Sequence, residues 1–254
     1  MDTTTARRTL IVTGASRGLG RAIAAQALAR GDRVLTLQRQ PDPTLASAGP
    51  GPLEQWACDL AAPADAAQRL AAWTAALPRA GLAGLVLINN AAGLSRLAPL
   101  ADIGEAALTA DLRVGLEAPV LLTAAFLRAS ADVTAPRQVL NISSGLGRRA
   151  MAGSAVYCAV KAGMDHLSRA VALEEAARPH GARIVSLAPG VIDTDMQVQL
   201  RSADPAAFAE RANFQKLKDE GRLDSPASAA AKVLSYLERS DFGRNPVGDV
   251  RDPA

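Results

Sequence analysis

Tyr157 and Lys161 stand four residues apart in the run Tyr157-Cys158-Ala159-Val160-Lys161. If that run is helical, positions i and i+4 share one face and both side chains enter the same cleft. A phenol beside an ammonium is suited to moving a proton. A free phenol, with a pKa of about 10, manages protons poorly at neutral pH. A neighbouring cation stabilises the phenolate and draws that value down. Such a pair fits carbonyl reduction, which needs hydride at carbon and a proton at oxygen. Upstream, an apolar run over residues 138–142 ends in Ser143-Ser144-Gly145, which offers two serines to the same cleft.

A second constellation lies near the N-terminus. Thr13-Gly14-Ala15-Ser16-Arg17-Gly18-Leu19-Gly20 follows an apolar run and opens a helix-like one. Glycines at 14, 18 and 20 let the backbone turn sharply and approach a pyrophosphate, while the helix N-terminus offers free N–H groups to the anion. The strand-to-helix context is what gives a glycine motif weight. No Gly-Lys-Ser/Thr run is present, which disfavours a nucleotide-hydrolysing loop. About 20 residues further on, an NAD site usually carries an acid for the ribose 2′-hydroxyl. Here Gln38 and Arg39 stand instead. A guanidinium pairs with a 2′-phosphate that a carboxylate would repel. Arg39, with Arg17 from the glycine turn, therefore points to NADP(H). Lys161 would then also hydrogen-bond the nicotinamide ribose.

These residues need a scaffold that alternates strands and helices. Strand-like runs occur at 9–13, 33–37, 53–58, 85–89, 138–142, 183–187 and, weakly, 245–248. Helix-like stretches lie at 19–30, 64–77, 102–128, 154–178 and 227–239. This alternation predicts a single α/β domain over 1–254, a Rossmann-like doubly wound parallel sheet of about seven strands flanked by helices. Residues 40–52 hold four prolines and read as a loop with at most a short helix. The polar stretch 193–226 interrupts the alternation at the carboxyl end of a strand, where such sheets bind ligands, and is expected to be a helical substrate lid.

Composition excludes other classes. The 28 Lys and Arg against 25 Asp and Glu leave too small and scattered an excess for nucleic acid, and aromatics at 3% offer no stacking surface. His166 and His180 are the only histidines, and neither Cys58 nor Cys158 has a partner at ligand spacing, so no metal is expected. No apolar run of about 18 residues suggests a membrane span. Two cysteines and a polar start imply a reducing, cytoplasmic setting without a signal peptide.

The combination resembles the short-chain dehydrogenase/reductase family from Thr9 to about Asp249. Its first motif is Thr-Gly-x-x-x-Gly-x-Gly, and its serine stands thirteen residues before the tyrosine, which is Ser144 here. The resemblance implies Ser144, Tyr157 and Lys161 as the catalytic set, with Ser144 polarising the substrate carbonyl. For the cofactor it implies Gly14, Ser16, Arg17, Gly18, Leu19 and Gly20 at the pyrophosphate, and Arg39 with Asp59 and Leu60 at the adenosine end. Asn90 and Ala91, from Asn89-Asn90-Ala91-Ala92-Gly93, would line the cofactor while Asn89 braces strands. Pro189, Gly190, Ile192 and Thr194 would hold the nicotinamide carboxamide, with Tyr157 and Lys161 beside the ribose. A homodimer or homotetramer packed through the two longest helices is also implied.

One family feature is missing. Gly115 stands where many members carry an Asn that holds a water beside the lysine. Water, helped by Asp111, is expected to replace that amide, so that Gly115→Asn leaves activity similar or raises it. The stretches Asp193-Thr194-Asp195-Met196, Phe214-Gln215-Lys216-Leu217-Lys218 and Gly221-Arg222-Leu223 resemble the sepiapterin reductase and benzil reductase group, which implies a small ketone or vicinal diketone as substrate. Two alternatives stay open. One is an NADP-dependent dehydrogenase of secondary alcohols, and the other is a non-catalytic NADP-binding regulator.

Overall fold

The computed structural model describes residues 6–94, 96–205 and 207–253; within the expected lid, residue 206 lies outside them, as do residues 1–5 at the start of the chain. Seven parallel strands form one sheet in the order β3-β2-β1-β4-β5-β6-β7. They are β1 (Arg7–Thr13), β2 (Arg33–Gln38), β3 (Leu53–Ala57), β4 (Leu82–Asn89), β5 (Arg137–Ile142), β6 (Arg183–Ala188) and β7 (Val247–Asp249). The last strand lies slightly later than its sequence pattern suggests. The order reverses between β1 and β4, so the crevice at their carboxyl ends is where this topology opens a ligand site.

Side chains alternate between the two faces along each strand. Leu10 and Val12 of β1, with Val86 and Ile88 of β4, pack on α1 (Gly18–Ala29) and α8 (Pro226–Leu237). Ile11, Leu85 and Leu87 point the other way, onto Leu70 of α2 (Pro63–Ala76) and onto Leu122 and Phe126 of α4 (Ala118–Ala129). Both faces are covered, which is why the strands read as continuous apolar runs. Each such fully buried side chain contributes roughly 1.5–3 kcal/mol.

The expected helix over 102–128 is divided. A short 3-10 turn at Leu100–Asp102 precedes α3 (Glu105–Leu112), and a π-helical turn at Arg113–Glu117 separates it from α4. The cause is Pro119, which lacks an N–H and whose ring would strike the carbonyl of Gly115 in a regular helix. The wider turn avoids this, and the Ala118 N–H reaches back five residues to the Arg113 carbonyl. The next helix, α5 (Ala155–Ala176), is uninterrupted and carries Tyr157 and Lys161. The stretch 193–226 folds as α6 (Asp195–Arg201) and α7 (Arg211–Asp219). Its two ends are joined where the Asp193 N–H donates to the Asp224 carbonyl and the Asp224 N–H to Val191, both at 2.9 Å.

Gly115 faces α5 at close range. A Cβ there would lie 2.6 Å from Cγ1 of Val160, the residue beside Lys161. This overturns the expectation that Gly115→Asn is harmless, because any side chain at 115 pushes on the helix that bears the reactive pair. Gly115→Ala should lower stability by about 1–3 kcal/mol, the usual cost of overpacking, despite the roughly 1 kcal/mol that alanine gains over glycine in a helix. Adding Val160→Ala should recover most of the loss. Chemical denaturation of both single variants and the double variant checks this, and simply additive losses would refute the contact.

Candidate active site

The carboxyl ends of the seven parallel strands border one cavity of about 960 Å³. Thr13 closes β1, and the chain then turns at Gly14 (φ +69°) and Gly18 (φ +57°), backbone conformations that favour glycine. A Cβ on Gly14 would meet the Ala91 backbone at 2.9 Å, so a side chain would fill the groove where the glycine turn passes β4. The first turn of α1 has neither a side-chain cap nor an acid, and Ser16, Arg17, Gly18 and Leu19 border the cavity there. Uncapped N–H groups, positive dipole density and a glycine cradle fit a pyrophosphate.

Asn90 holds this turn in place. Its Nδ2 donates to the carbonyls of Thr13 (2.9 Å) and Gly14 (3.1 Å), while Thr13 Oγ1 accepts from the backbone N–H groups of Asn90 and Ala91. Asn89 braces strands as expected, since its Nδ2 donates to Asn141 Oδ1 (2.8 Å) and Thr123 Oγ1 (3.1 Å). Gly20 is the one expected cofactor contact that the structure does not bring to the cavity. It is buried beneath the turn, where a Cβ would run into the Asn90 amide and the Gly14 carbonyl. Its smallness serves the packing of α1 against β1 and β4.

At the end expected to take the adenosine, the cavity is bordered by Arg39, Asp59 and Leu60. Arg39 and Asp59 are exposed, and Asp59 Oδ1 accepts from the Ala61 N–H at 2.9 Å. Arg17 pairs with Asp195 of α6 at 3.0 Å across the mouth. Both partners are well exposed, so the pair is worth little and leaves the guanidinium free to exchange partners.

Ser144, Tyr157 and Lys161 meet between β5, β6 and α5. Ser144 is extended and caps the 3-10 turn Gly145–Gly147, its Oγ accepting from the Leu146 N–H at 3.1 Å. That leaves its own proton free to donate, and the Ser144 hydroxyl stands beside the Tyr157 phenol, where it favours the phenolate. Lys161 is only 2% exposed. Its Nζ donates to the Ile142 carbonyl at 2.7 Å and lies 5.5 Å from the centre of the Tyr157 ring. Burial pushes the Tyr157 phenol up to about 12, against a lowering by the Ser144 hydroxyl. Burial also draws Lys161 down to about 8, opposed by the charge of Asp165. The expected depression of the phenol by the lysine is therefore not what this site shows. Lys161 has lost its own hydration and is aimed at a backbone carbonyl, so desolvation outweighs its charge.

Pro189, Gly190, Ile192 and Thr194 form the wall beyond β6, and Thr194 approaches the glycine turn closely enough that a Cβ on Gly18 would lie 3.4 Å from its Cγ2. The remaining wall is apolar, with Leu94, Leu146, Met151, Met196, Leu200 and Phe214. Sequence reasoning missed most of these, and also Arg149, Asp249 and Arg251 at the rim. Only their positions after strand ends signalled them, since an irregular stretch carries no periodicity to mark an inward face.

The sequence comparisons agree with this geometry. A profile described as short chain dehydrogenase matches residues 8–205. This chain belongs to the short-chain dehydrogenase family. It is an oxidoreductase acting on CH–OH/C=O groups. Benzil reductase ((S)-benzoin forming) of Bacillus subtilis is 35% identical over 246 residues, covering 95% of this chain and 98% of that protein. Sepiapterin reductase of Mus musculus is 35% identical, with 91% and 92% covered. The solved structure of a metagenomic short-chain oxidoreductase in complex with NADP superposes with a TM-score of 0.68 at 26% identity, over 97% of this chain and 96% of that one.

The titration of Lys161 has a measurable consequence. Its folded value lies below its unfolded one, so below about pH 8 both states carry the proton and the cost of burying the charge is fully present. Between about 8 and 10.5 only the unfolded chain stays protonated, and stability rises with pH there. Relative to Lys161→Met, the wild type should therefore gain roughly 1–3 kcal/mol across that window. Urea denaturation at pH 7 and pH 10 measures the difference, and a gap that does not change with pH would refute the assignment.

Proposed function

We propose that this short-chain dehydrogenase is an NADPH-dependent reductase of a ketone or vicinal diketone, with Ser144, Tyr157 and Lys161 as its catalytic set. The observation that carries the reading is that Ser144, Tyr157 and Lys161 line one cavity whose outer wall is apolar. When bound, the nicotinamide supplies hydride to the carbonyl carbon. The protein's own groups then manage the oxygen: Ser144 donates to it, and Tyr157 delivers the proton as negative charge develops. A phenol pushed up to about 12 holds its proton throughout the physiological range. It is therefore present in the form that can donate to a developing alkoxide. Lys161, anchored on the Ile142 carbonyl beside the Tyr157 ring, would hydrogen-bond the nicotinamide ribose.

Arg39 and Arg17 support NADPH over NADH, since no carboxylate stands at the end of β2 to bind a 2′-hydroxyl. Asp59, Leu60, Asn90 and Ala91 complete the cofactor wall in this reading, and Pro189, Gly190, Ile192 and Thr194 hold the carboxamide. Residues 193–226 act as the substrate lid, with Met196, Leu200 and Phe214 facing the cavity. The relatives named benzil reductase and sepiapterin reductase favour an aromatic dicarbonyl or a pterin side-chain ketone. Exposed Leu112, Val120 and Leu173 lie on α3, α4 and α5, the helices through which a homodimer or homotetramer would form.

Turnover of benzil, sepiapterin and simple ketones with NADPH and NADH tests the proposal. NADPH should be the better donor, and Arg39→Asp should narrow or reverse the preference. Tyr157→Phe should lose about 10²–10⁴-fold in kcat. Undiminished turnover in Tyr157→Phe would overturn the mechanism, and a wild-type preference for NADH would overturn the cofactor assignment.

A further inference from the structure

Asp165 has no part in the chemistry above, yet it is a carboxylate 2% exposed at the centre of the site's framework. It follows Lys161 by one turn of α5. Its Oδ1 accepts two hydroxyl protons at 2.6 Å, from Ser143 at the end of β5 and from Ser186 in β6. Its Oδ2 makes no hydrogen bond but lies 3.3 Å from Arg148 Nε, in the segment that follows Ser144. Arg148 in turn donates to the Gly248 carbonyl in β7 at 2.8 Å. The turn runs so close to α5 that a Cβ on Gly147 would meet the Lys161 carbonyl at 2.9 Å and Asp165 Oδ2 at 3.0 Å.

We propose that Asp165 is a positioning residue for proton transfer, tying Ser143, Ser186 and Arg148 to α5 and so fixing the wall that carries Ser144 against the helix that carries Tyr157 and Lys161. This rests on the functional reading of those three residues. Ser143 precedes Ser144 directly, so holding its hydroxyl sets where the chain leaves β5. Ser186 stands in β6, the strand beside β5, so the same oxygen ties that strand to α5 as well. A carboxylate does this better than an amide. One oxygen takes both hydroxyls while the other faces a guanidinium, and an amide would turn N–H groups toward that cation.

The charge has a second effect. Asp165 favours the ammonium form of Lys161 against burial. The charged and titratable groups around it are Lys161 and Tyr157 on its own helix and Arg148 from the turn, with Asp249 of β7 and Tyr236 of α8 next to Arg148. Strands β5 and β6 contribute only the two serine hydroxyls.

Asp165→Asn should lower kcat at least tenfold while the KM for NADPH stays within twofold. The alkaline limb of its kcat profile should move to lower pH, because Lys161 loses the charge that holds its proton. Ser143→Ala and Ser186→Ala should each lower kcat several-fold and leave that limb in place. A folded Asp165→Asn with wild-type kcat and an unmoved limb would overturn the proposal. If that variant does not fold, a Ser143→Ala/Ser186→Ala double variant decides: reduced kcat at unchanged KM supports the proposal, and full activity overturns it. Denaturation without substrate adds an independent reading, since the Lys161-dependent gain in stability should begin at lower pH in Asp165→Asn. Loss of all carbonyl turnover in the wild type would count against the proposed function instead, and the denaturation comparison would still decide the role of Asp165.

Discussion

The hydrogen bond from Lys161 Nζ to the Ile142 carbonyl joins the two parts of this molecule that must not move relative to each other. Ile142 is the last residue of β5, and beyond it the chain leaves the sheet for the turn that bears Ser144. A lysine on α5 spans that junction, so the helix bearing the phenol and the strand end bearing the serine are held by one short, charge-assisted contact. The contact comes at a cost. Lys161 is taken out of water, and its proton is correspondingly easier to lose. A site that holds a buried amine in this way has its geometry and its titration set by the same interaction.

Around that junction the core is threaded by polar groups where apolar ones would pack more simply. Asn89 donates to Asn141, Asn141 donates to Ser168, and Ser168 donates to the Met164 carbonyl, which links β4, β5 and α5 in one chain of hydrogen bonds. Beside it, Asp165 links β5 and β6 to the same helix. Buried polar groups are costly when unpaired and directional when paired. Apolar packing would hold α5 on the sheet but leave it free to slide by fractions of an ångström. These bonds specify its register, and with it where the Tyr157 hydroxyl stands relative to Ser144.

Much of this was legible in the sequence because the fold is built from periodic elements and the chemistry from short spacings. The central strand runs are apolar on both faces, so they stand out, and the glycine turn and Tyr-x-x-x-Lys are each confined to a few residues. What was not legible came from contacts between distant segments. The π turn at Arg113–Glu117 follows from Pro119, but its consequence, the closeness of Gly115 to Val160, exists only once that turn lies against α5. Gly20 read as a cofactor contact because its motif places it with Gly14 and Gly18, whereas the helix turns it inward. Asp165 could have been found, since it repeats the i+4 step from Tyr157 to Lys161 on the same face. Its meaning depends on Ser143 and Ser186, which arrive from two other strands.

The stretch between β6 and α8 shows the opposite strategy. Its ends are joined by the Ile192–Asp224 bridge, and its interior holds to the body through Phe208, stacked on Phe214 at 5.8 Å between ring centres, and through Leu97, Met151 and Leu200. Asp193 takes Lys218 at 2.6 Å and Arg201 at 3.6 Å, which fastens both short helices to the closed base. None of these contacts involves Ser144, Tyr157 or Lys161. Substitutions among Met196, Leu200 and Phe214 therefore reshape the cavity wall without disturbing the polar framework beneath it. In the proposed reading, reaction type rests on buried hydrogen bonds that tolerate little change, and substrate shape on an apolar surface that tolerates much. That separation lets relatives about one-third identical keep one chemistry while the names of their substrates differ.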